Sequence, residues 1–240
     1  MADQTNNLIE RLKAGEKKAR EVFEKNPGLH SGQKPKIAVV GCSDSRVPTD
    51  VLFDAKPGEV FTFRNIGNSL EDETDPTQLS PDAKKFITYA NHLGVETLVI
   101  LPHGKCGCIA NACNCASGHA HGHGLEADIL KDMGDKKKFA VDLVKKEGAA
   151  SYLTSRGLPA DSNSADAHLQ AVEIAHGLIM AGLARNLLKE LNSTMSIALV
   201  YYNVATCDAY ISPRGDGKFQ KVSGNNVNPA PQSKHKPPTP

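Results

Sequence analysis

The sequence contains no tryptophan, and aromatic residues make up only 5% of its 240 positions. Proteins that bind single-stranded nucleic acid stack bases on aromatic side chains, so the composition argues against such a platform. The charges nearly cancel, because 28 lysines and arginines accompany 27 aspartates and glutamates and leave a formal net charge of +1. Without a basic excess, we expect neither nucleic acid nor an acidic membrane surface as the main partner.

Long hydrophobic runs are also absent. The longest runs, TLVILP at 97–102 and SIALVYYNV at 196–204, are far shorter than the roughly 20 residues that cross a bilayer. The N-terminal stretch MADQTNNLIERLKAGEKKAR has no apolar signal segment, so we expect no secretion and a cytoplasmic location. In a reducing cytosol, the six cysteines are expected to be metal ligands or reactive thiols rather than disulfides.

Strand and helix patterns alternate along the chain. Continuous apolar or β-branched runs are typical of strands covered on both faces, and helical periodicity lies between them. This alternation predicts an α/β fold with a mostly parallel four- to five-stranded sheet flanked by helices. The predicted strands are 37–42, 59–65, 97–102, 196–203 and a candidate fifth at 208–212, and the main predicted helices are 6–25, 80–94 (with Ser80 as N-cap) and 165–191.

The composition also predicts how the chain is divided. Residues 1–222 are expected to form a single α/β domain, of which 1–35 form an N-terminal helical arm. Residues 223–240 are polar and proline-rich, so we expect a disordered tail.

Potential zinc ligands follow two of the predicted strands. Cys42 ends the strand at 37–42, and His103 and Cys106 follow the strand at 97–102. Ligands in open α/β sheets bind outside the carboxyl ends of the strands, so neighbouring parallel strands would bring these three side chains to one edge. Two thiolates and one imidazole are good zinc ligands, and three protein ligands leave a fourth position open, as in catalytic zinc sites.

Three motifs resemble the β-class carbonic anhydrases. They are CSDSRVP at 42–48, PGEVFTFRNIGN at 57–68 and HGKC at 103–106. The resemblance implies Zn²⁺ held by Cys42, His103 and Cys106, with an Asp44–Arg46 pair beside the metal. It also implies a homodimer or a higher multiple of dimers, in which the N-terminal helix embraces the neighbouring subunit.

The implied activity is the reversible hydration of CO₂ to bicarbonate and a proton by zinc-bound hydroxide. Asp44 would accept a hydrogen bond from that hydroxide, and Arg46 would hold Asp44 by a bidentate pair. If the pair breaks, Asp44 is close enough to become the fourth zinc ligand, so we expect an inactive state at low pH. Two thiolates cancel the formal charge of Zn²⁺, and we therefore expect the activity to rise on the alkaline side of neutral.

The sequence departs from the family pattern at two places near the site. Pro102 stands where the family usually has glycine before the zinc histidine, and KFITY at 85–89 replaces a Gly-Ser-Leu/Ile-Glu-Tyr segment. The ligand set is intact, but substrate and activity stay open. The alternatives are hydrolysis of CS₂ or COS at the same zinc, or a non-enzymatic zinc-binding protein.

A cysteine- and histidine-rich stretch continues beyond Cys106 and is not a family hallmark. Residues 107–115 are expected to begin a helix, and the glycine-rich 118–124 to form a loop. The stretch either binds a second metal or is a helix with buried thiols followed by a solvated loop. Its candidate ligands are Cys113, Cys115, His119, His121 and His123.

Overall fold

The computed structural model describes residues 2–118, 125–160 and 163–223 and has the predicted α/β fold. A short 3-10 turn, Pro27–His30, follows the first helix. The strands are β1 (Ile37–Cys42), β2 (Val60–Asn65), β3 (Thr97–Leu101), β4 (Ser196–Asn203), β5 (Asp208–Ser212) and β6 (Gln220–Lys221). The helices are α1 (Ala2–Lys25), α2 (Thr49–Leu52), α3 (Pro81–His92), α4 (Gly107–Ala116), α5 (Leu125–Asp135), α6 (Lys138–Glu147), α7 (Ala149–Thr154) and α8 (Ser164–Glu190).

The strands form one sheet in the order β2-β1-β3-β4-β5-β6. The first four in this order run parallel, and β5 and β6 pair antiparallel at the far edge. The mostly parallel sheet is therefore confirmed. The described residues contain six strands rather than four or five, because the two-residue β6 pairs with β5 and is too short to leave a sequence pattern.

Helix α8 lies at the centre of the larger hydrophobic core, on one face of the sheet. Eight consecutive residues, from Gln170 to Gly177, are buried, so two turns of this helix are surrounded on all sides. The helix packs against α6, α7 and β4. A smaller cluster covers the opposite face of the sheet and includes Val39, Val99 and Val200. Burial on both faces explains the continuous apolar runs of the central strands.

By length and composition alone, α8 is apolar enough to cross a membrane. In this fold, 61% of its most apolar stretch is buried inside the molecule, and core helices of globular proteins are often as long and as apolar. Its hydrophobic side chains therefore have partners in the sheet and in the helices around it. The absence of a membrane partner stays a prediction.

The predicted helices near the site are confirmed. The Ser80 hydroxyl accepts a hydrogen bond from the backbone N–H of Ala83 (3.2 Å) and so caps α3. Helix α4 corresponds to the helix expected from 107 onward. The division into arm, domain and tail stays a prediction, and 224–240 of the predicted tail lies outside the described residues.

Candidate metal centre

The carboxyl ends of β1 and β3 bring the three predicted ligands together. These strands are hydrogen-bonded neighbours, in register from Ile37↔Thr97 to Gly41↔Leu101. The ligand atoms of Cys42, His103 and Cys106 all lie within 4.8 Å of one another, and all three residues are buried. Two ligands about 2.3 Å from one tetrahedral metal are roughly 3.8 Å apart. The cluster therefore fits a zinc ion without rearrangement of the fold.

The ring of His103 is oriented for metal binding. Its Nδ1 lies 3.1 Å from the Gly104 carbonyl oxygen, which can only accept, so Nδ1 carries the proton. Its Nε2 is buried and has no hydrogen-bond partner among the described residues. A buried acceptor without a partner is costly, and a metal ion at the cluster removes that cost.

The electrostatics of the two thiols also favour a bound cation. A hydrogen bond from Cys106 lowers the pKa of Cys42 to about 3, and the same bond, together with burial, raises the pKa of Cys106. One thiolate thus suppresses the ionisation of the other in a buried site. A divalent cation between the sulfurs would stabilise both thiolates, which is the donor state that zinc requires.

Arg46 holds Asp44 beside the cluster. Its Nε and Nη2 donate to the two carboxylate oxygens at 2.9 and 2.6 Å, and its backbone N–H donates to Oδ1 at 2.9 Å. These bonds hold the pKa of Asp44 far below its usual range. Asp44 Oδ2 lies 4.0 Å from His103 Nε2. The structure therefore places an ionised, oriented carboxylate next to the ligand atoms.

Arg64 braces the loop that carries Cys42 and Asp44. Its Nε donates to the Cys42 carbonyl and its Nη2 to the Asp44 carbonyl, both at 2.8 Å. Arg64 therefore supports the backbone on both sides of Ser43, between the ligand Cys42 and Asp44. Lys105, between the two ligands of the loop after β3, forms an ion pair with Asp166.

Glu173 of α8 contacts the site, and sequence reasoning missed it. Its Oε1 accepts a hydrogen bond from the backbone N–H of Cys106 (2.9 Å), and its Oε2 accepts one from the Tyr201 hydroxyl (3.2 Å). Burial raises the pKa of Glu173 to about 8. The available signal was a glutamate in the otherwise apolar stretch AVEIAHGLIMAG at 171–182. A buried carboxylate is rare unless it is paired or hydrogen-bonded.

The remaining cysteines form no second metal cluster among the described residues. Cys108 is buried, Cys113 and Cys115 are half-buried on α4, and Cys207 is exposed. The histidines of the predicted second site, at positions 119, 121 and 123, lie outside the described residues. The two interpretations of this stretch therefore stay predictions.

Comparison with known sequences identifies the family. Residues 37–208 match the sequence profile of the family described as carbonic anhydrase. The matched range is most of the chain and contains all three ligands of the cluster. The chain belongs to the β-class carbonic anhydrase family. The Cys-His-Cys cluster is typical of the zinc site of this family, in agreement with the resemblance of the three motifs.

Relatives of known sequence and structure agree with this assignment. The chain is 28% identical over 191 residues to beta carbonic anhydrase 5, chloroplastic, of Arabidopsis thaliana, covering 77% of this chain and 56% of that protein. It covers only 33% of beta carbonic anhydrase 6, mitochondrial, from the same plant, at 35% identity over 100 residues. The chain thus spans a third to just over half of the length of these two curated relatives.

Solved structures of the β-class share the fold. A tetrameric β-carbonic anhydrase from Sordaria macrospora superposes with a TM-score of 0.60 at 21% identity, covering 92% of this chain and all of that one. The β-carbonic anhydrase CcaA superposes with a TM-score of 0.65 at 18% identity, covering 91% of this chain and 94% of that one. At these identities the likeness establishes the architecture alone.

Proposed function

We propose that the chain catalyses the reversible hydration of CO₂ to bicarbonate and a proton, with Zn²⁺ held by Cys42, His103 and Cys106. The observation that carries this proposal is the convergence of the three ligand atoms within 4.8 Å. Asp44, held by Arg46, adds an oriented acceptor at their edge. A protein that only stores zinc has no need for that second feature.

The side chains around the metal centre have different roles in the proposed reaction. When bound, zinc supplies a Lewis acid that makes a water molecule acidic enough to act as a nucleophile. Asp44 accepts a hydrogen bond from the reacting water and thereby directs its lone pair toward the carbon of CO₂. Arg46 keeps Asp44 ionised and aimed, since both carboxylate oxygens are bonded to its guanidinium. Asp44 and Arg46 are thus proposed as the catalytic pair.

Stopped-flow CO₂ hydration by the wild type, Asp44→Asn and Cys42→Ser tests the proposal. We expect activity that rises on the alkaline side of neutral in the wild type and losses of about 10²-fold or more in both variants. Matched controls are Asp82→Asn, at an exposed carboxylate of α3, and Cys207→Ser, at an exposed thiol, and both should retain wild-type rates.

Equal rates in the wild type, Asp44→Asn and Cys42→Ser would reject the proposal. Sulfide release from COS or CS₂ without CO₂ hydration would assign the same centre to the hydrolysis of sulfur compounds. Zinc binding with neither activity would leave a zinc-binding protein.

We propose further that the chain forms a homodimer or a multiple of dimers. Leu8 and Leu12 of α1 are 56% and 62% exposed, which leaves apolar surface for a second copy to cover. The Sordaria relative is tetrameric by its description. Analytical ultracentrifugation should give a dimer or larger, and replacing both leucines with serine should lower the mass. A monomeric wild type at micromolar concentration would contradict this proposal.

A further inference from the structure

Helix α8 contacts the loop after β3, which carries His103 and Cys106, and the loop after β2, which contains Gly67 and Leu70. Glu173 accepts a hydrogen bond from the backbone N–H of Cys106, and His176 Nε2 lies 3.1 Å from the Gly67 carbonyl oxygen. Gly177 packs against Pro102, which precedes the ligand His103, and Met180 Sδ accepts from the backbone N–H of Leu70. Positions 173, 176, 177 and 180 share one face of the helix.

The contact at His176 is linked to the second thiolate through a single residue, Gly67. The carbonyl of Gly67 can only accept, so His176 donates from Nε2. The backbone of Gly67 is in turn among the groups beside Cys42 that lower the pKa of its thiol. The imidazole is buried and has the Glu71–Lys137 ion pair as its charged neighbours, so its position is well defined.

We propose that Glu173 and His176 are positioning residues that hold the two thiolate ligands in place through the backbone of Cys106 and of Gly67. Glu173 acts on Cys106 directly, and His176 acts on Cys42 through Gly67. Hydrogen bonds to a thiolate also draw charge from sulfur, so the strength of the Gly67 contact sets how much negative charge the metal receives. Neither residue touches the reacting atoms.

Two pairs of variants separate positioning from general stability. Glu173→Gln keeps an acceptor for Cys106, whereas Glu173→Met removes it at similar volume. His176→Gln keeps a donor for Gly67, whereas His176→Leu removes it. Leu188→Ala is the matched control, because Leu188 is a buried residue of α8 about 18 Å along the axis from His176.

Two measurements report on the ligands without turnover. The first is the Kd for zinc by competition with a chromophoric chelator. The second is the thiolate-to-cobalt charge-transfer absorption of the Co²⁺-substituted protein. We expect Glu173→Met and His176→Leu to weaken zinc binding about 10- to 100-fold and to shift the absorption band. The two glutamine variants should stay near the wild type in both measurements, and Leu188→Ala should lower the Tm but leave both unchanged.

Wild-type zinc affinity and cobalt spectra in Glu173→Met and His176→Leu would overturn the inference. Glutamine variants as impaired as these two would also overturn it. If Glu173→Met does not fold, Tyr201→Phe removes the bond to the other oxygen of Glu173. That variant should weaken zinc binding by a smaller factor, and an unchanged Kd would count against the inference.

The inference rests on the metal site of the proposed function but not on its turnover. A chain that binds zinc and does not hydrate CO₂ would fail the proposed function and leave the positioning roles intact. If the wild type hydrates CO₂ and these substitutions leave its zinc affinity unchanged, the proposed function stands and the positioning roles fail.

Discussion

At the residue scale, Arg46 holds the carboxylate of Asp44. Arg46 donates through Nε, Nη2 and the backbone N–H, and its Nη2 also donates to the Lys105 carbonyl (3.0 Å). Arg46 thereby links the loop after β1 to the loop after β3. A planar guanidinium makes such paired bonds, and a lysine ammonium in its place cannot reproduce them.

Replacing Arg46 with methionine should release Asp44 and lower kcat/KM for CO₂ about 10- to 100-fold. Arg46→Lys should be intermediate, because it keeps the charge without the paired geometry. Stopped-flow assays with zinc content measured on the same samples check this prediction. An Arg46→Met protein with a full zinc complement and a wild-type rate would contradict it.

Arg46→Met, in which Asp44 is released, also tests the predicted closed state, the inactive form in which Asp44 is the fourth zinc ligand at low pH. If Asp44 becomes the fourth ligand, the Co²⁺ spectrum of Arg46→Met should match that of the wild type at low pH. Two different spectra would argue against the closed state.

His176 should make folding stability depend on pH. Burial and the nearby Lys137 lower its pKa from 6.5 to about 4, although Glu71 acts in the opposite direction. The folded state therefore binds fewer protons than the unfolded state between these values, and stability falls as pH falls from about 6.5 to about 4. The wild type should lose about 2 kcal/mol from this residue between pH 7.5 and pH 5.

Urea unfolding at the two pH values measures this loss. His176→Gln should lack it, because glutamine does not titrate, whereas His92→Gln, at an exposed histidine of α3, should behave as the wild type. Losses common to all three proteins, such as those from metal release, cancel in the comparison. Identical pH dependence in His176→Gln and the wild type would refute the assignment.

At the element scale, α8 packs closely against Pro102, the residue before His103. A methyl group added at Gly177 would lie 2.8 Å from Pro102 Cγ and 3.2 Å from Leu199 Cδ1. Pro102 is a departure from the family pattern, and the absence of a side chain at Gly177 makes room for its ring. The close approach of helix and loop sets the position of the zinc histidine.

Gly177→Ala should therefore destabilise the protein by about 1–3 kcal/mol, although alanine has the higher helix propensity. Gly182→Ala, on the same helix and with open space around it, should be stabilising by about 0.5–1 kcal/mol. Denaturant unfolding measures both. Adding Pro102→Gly to Gly177→Ala should recover part of the lost stability. If the changes in unfolding free energy of the two single variants simply add in the double variant, the two residues do not clash.

At the scale of the whole molecule, the metal joins loops from distant parts of the chain. Cys42 lies 61 residues before His103, and Glu173, which bonds the backbone of Cys106, lies a further 67 residues along the chain from that cysteine. Without a cation, the pKa of the buried Cys42 thiol is lowered and that of the Cys106 thiol is raised. The buried Nε2 of His103 has no hydrogen-bond partner among the described residues. Zinc should therefore stabilise the folded state as a whole.

Removing zinc with a chelator should lower the Tm, and added zinc should restore it. Free zinc at about 100 times Kd contributes about 2.7 kcal/mol by linkage. Calorimetry with and without the metal measures the shift, and Cys42→Ser should show little of it. A bound stoichiometry near one per chain supports a single site, whereas two would favour a second metal on the stretch that includes Cys113 and Cys115.

Much of this architecture follows from local patterns. The buried strands β1, β3 and β4 are continuous apolar runs, and Ser80 with Pro81 marks the start of α3. Helices α5, α6 and α7 were not predicted, because lysines and two glycines interrupt the apolar spacing between 125 and 154. Strand β6 exists only through its pairing with β5.

The sequence by itself determined the candidate ligand set and the Asp44–Arg46 ion pair, because Cys42, Asp44, Arg46, His103 and Cys106 all lie in short motifs at strand ends. Only the tertiary structure decided what supports them. Glu173 and His176 lie more than 65 residues from the backbone groups they bind, and such contacts leave no local periodicity. Their role depends on where α8 crosses the sheet, which packing of the whole core determines.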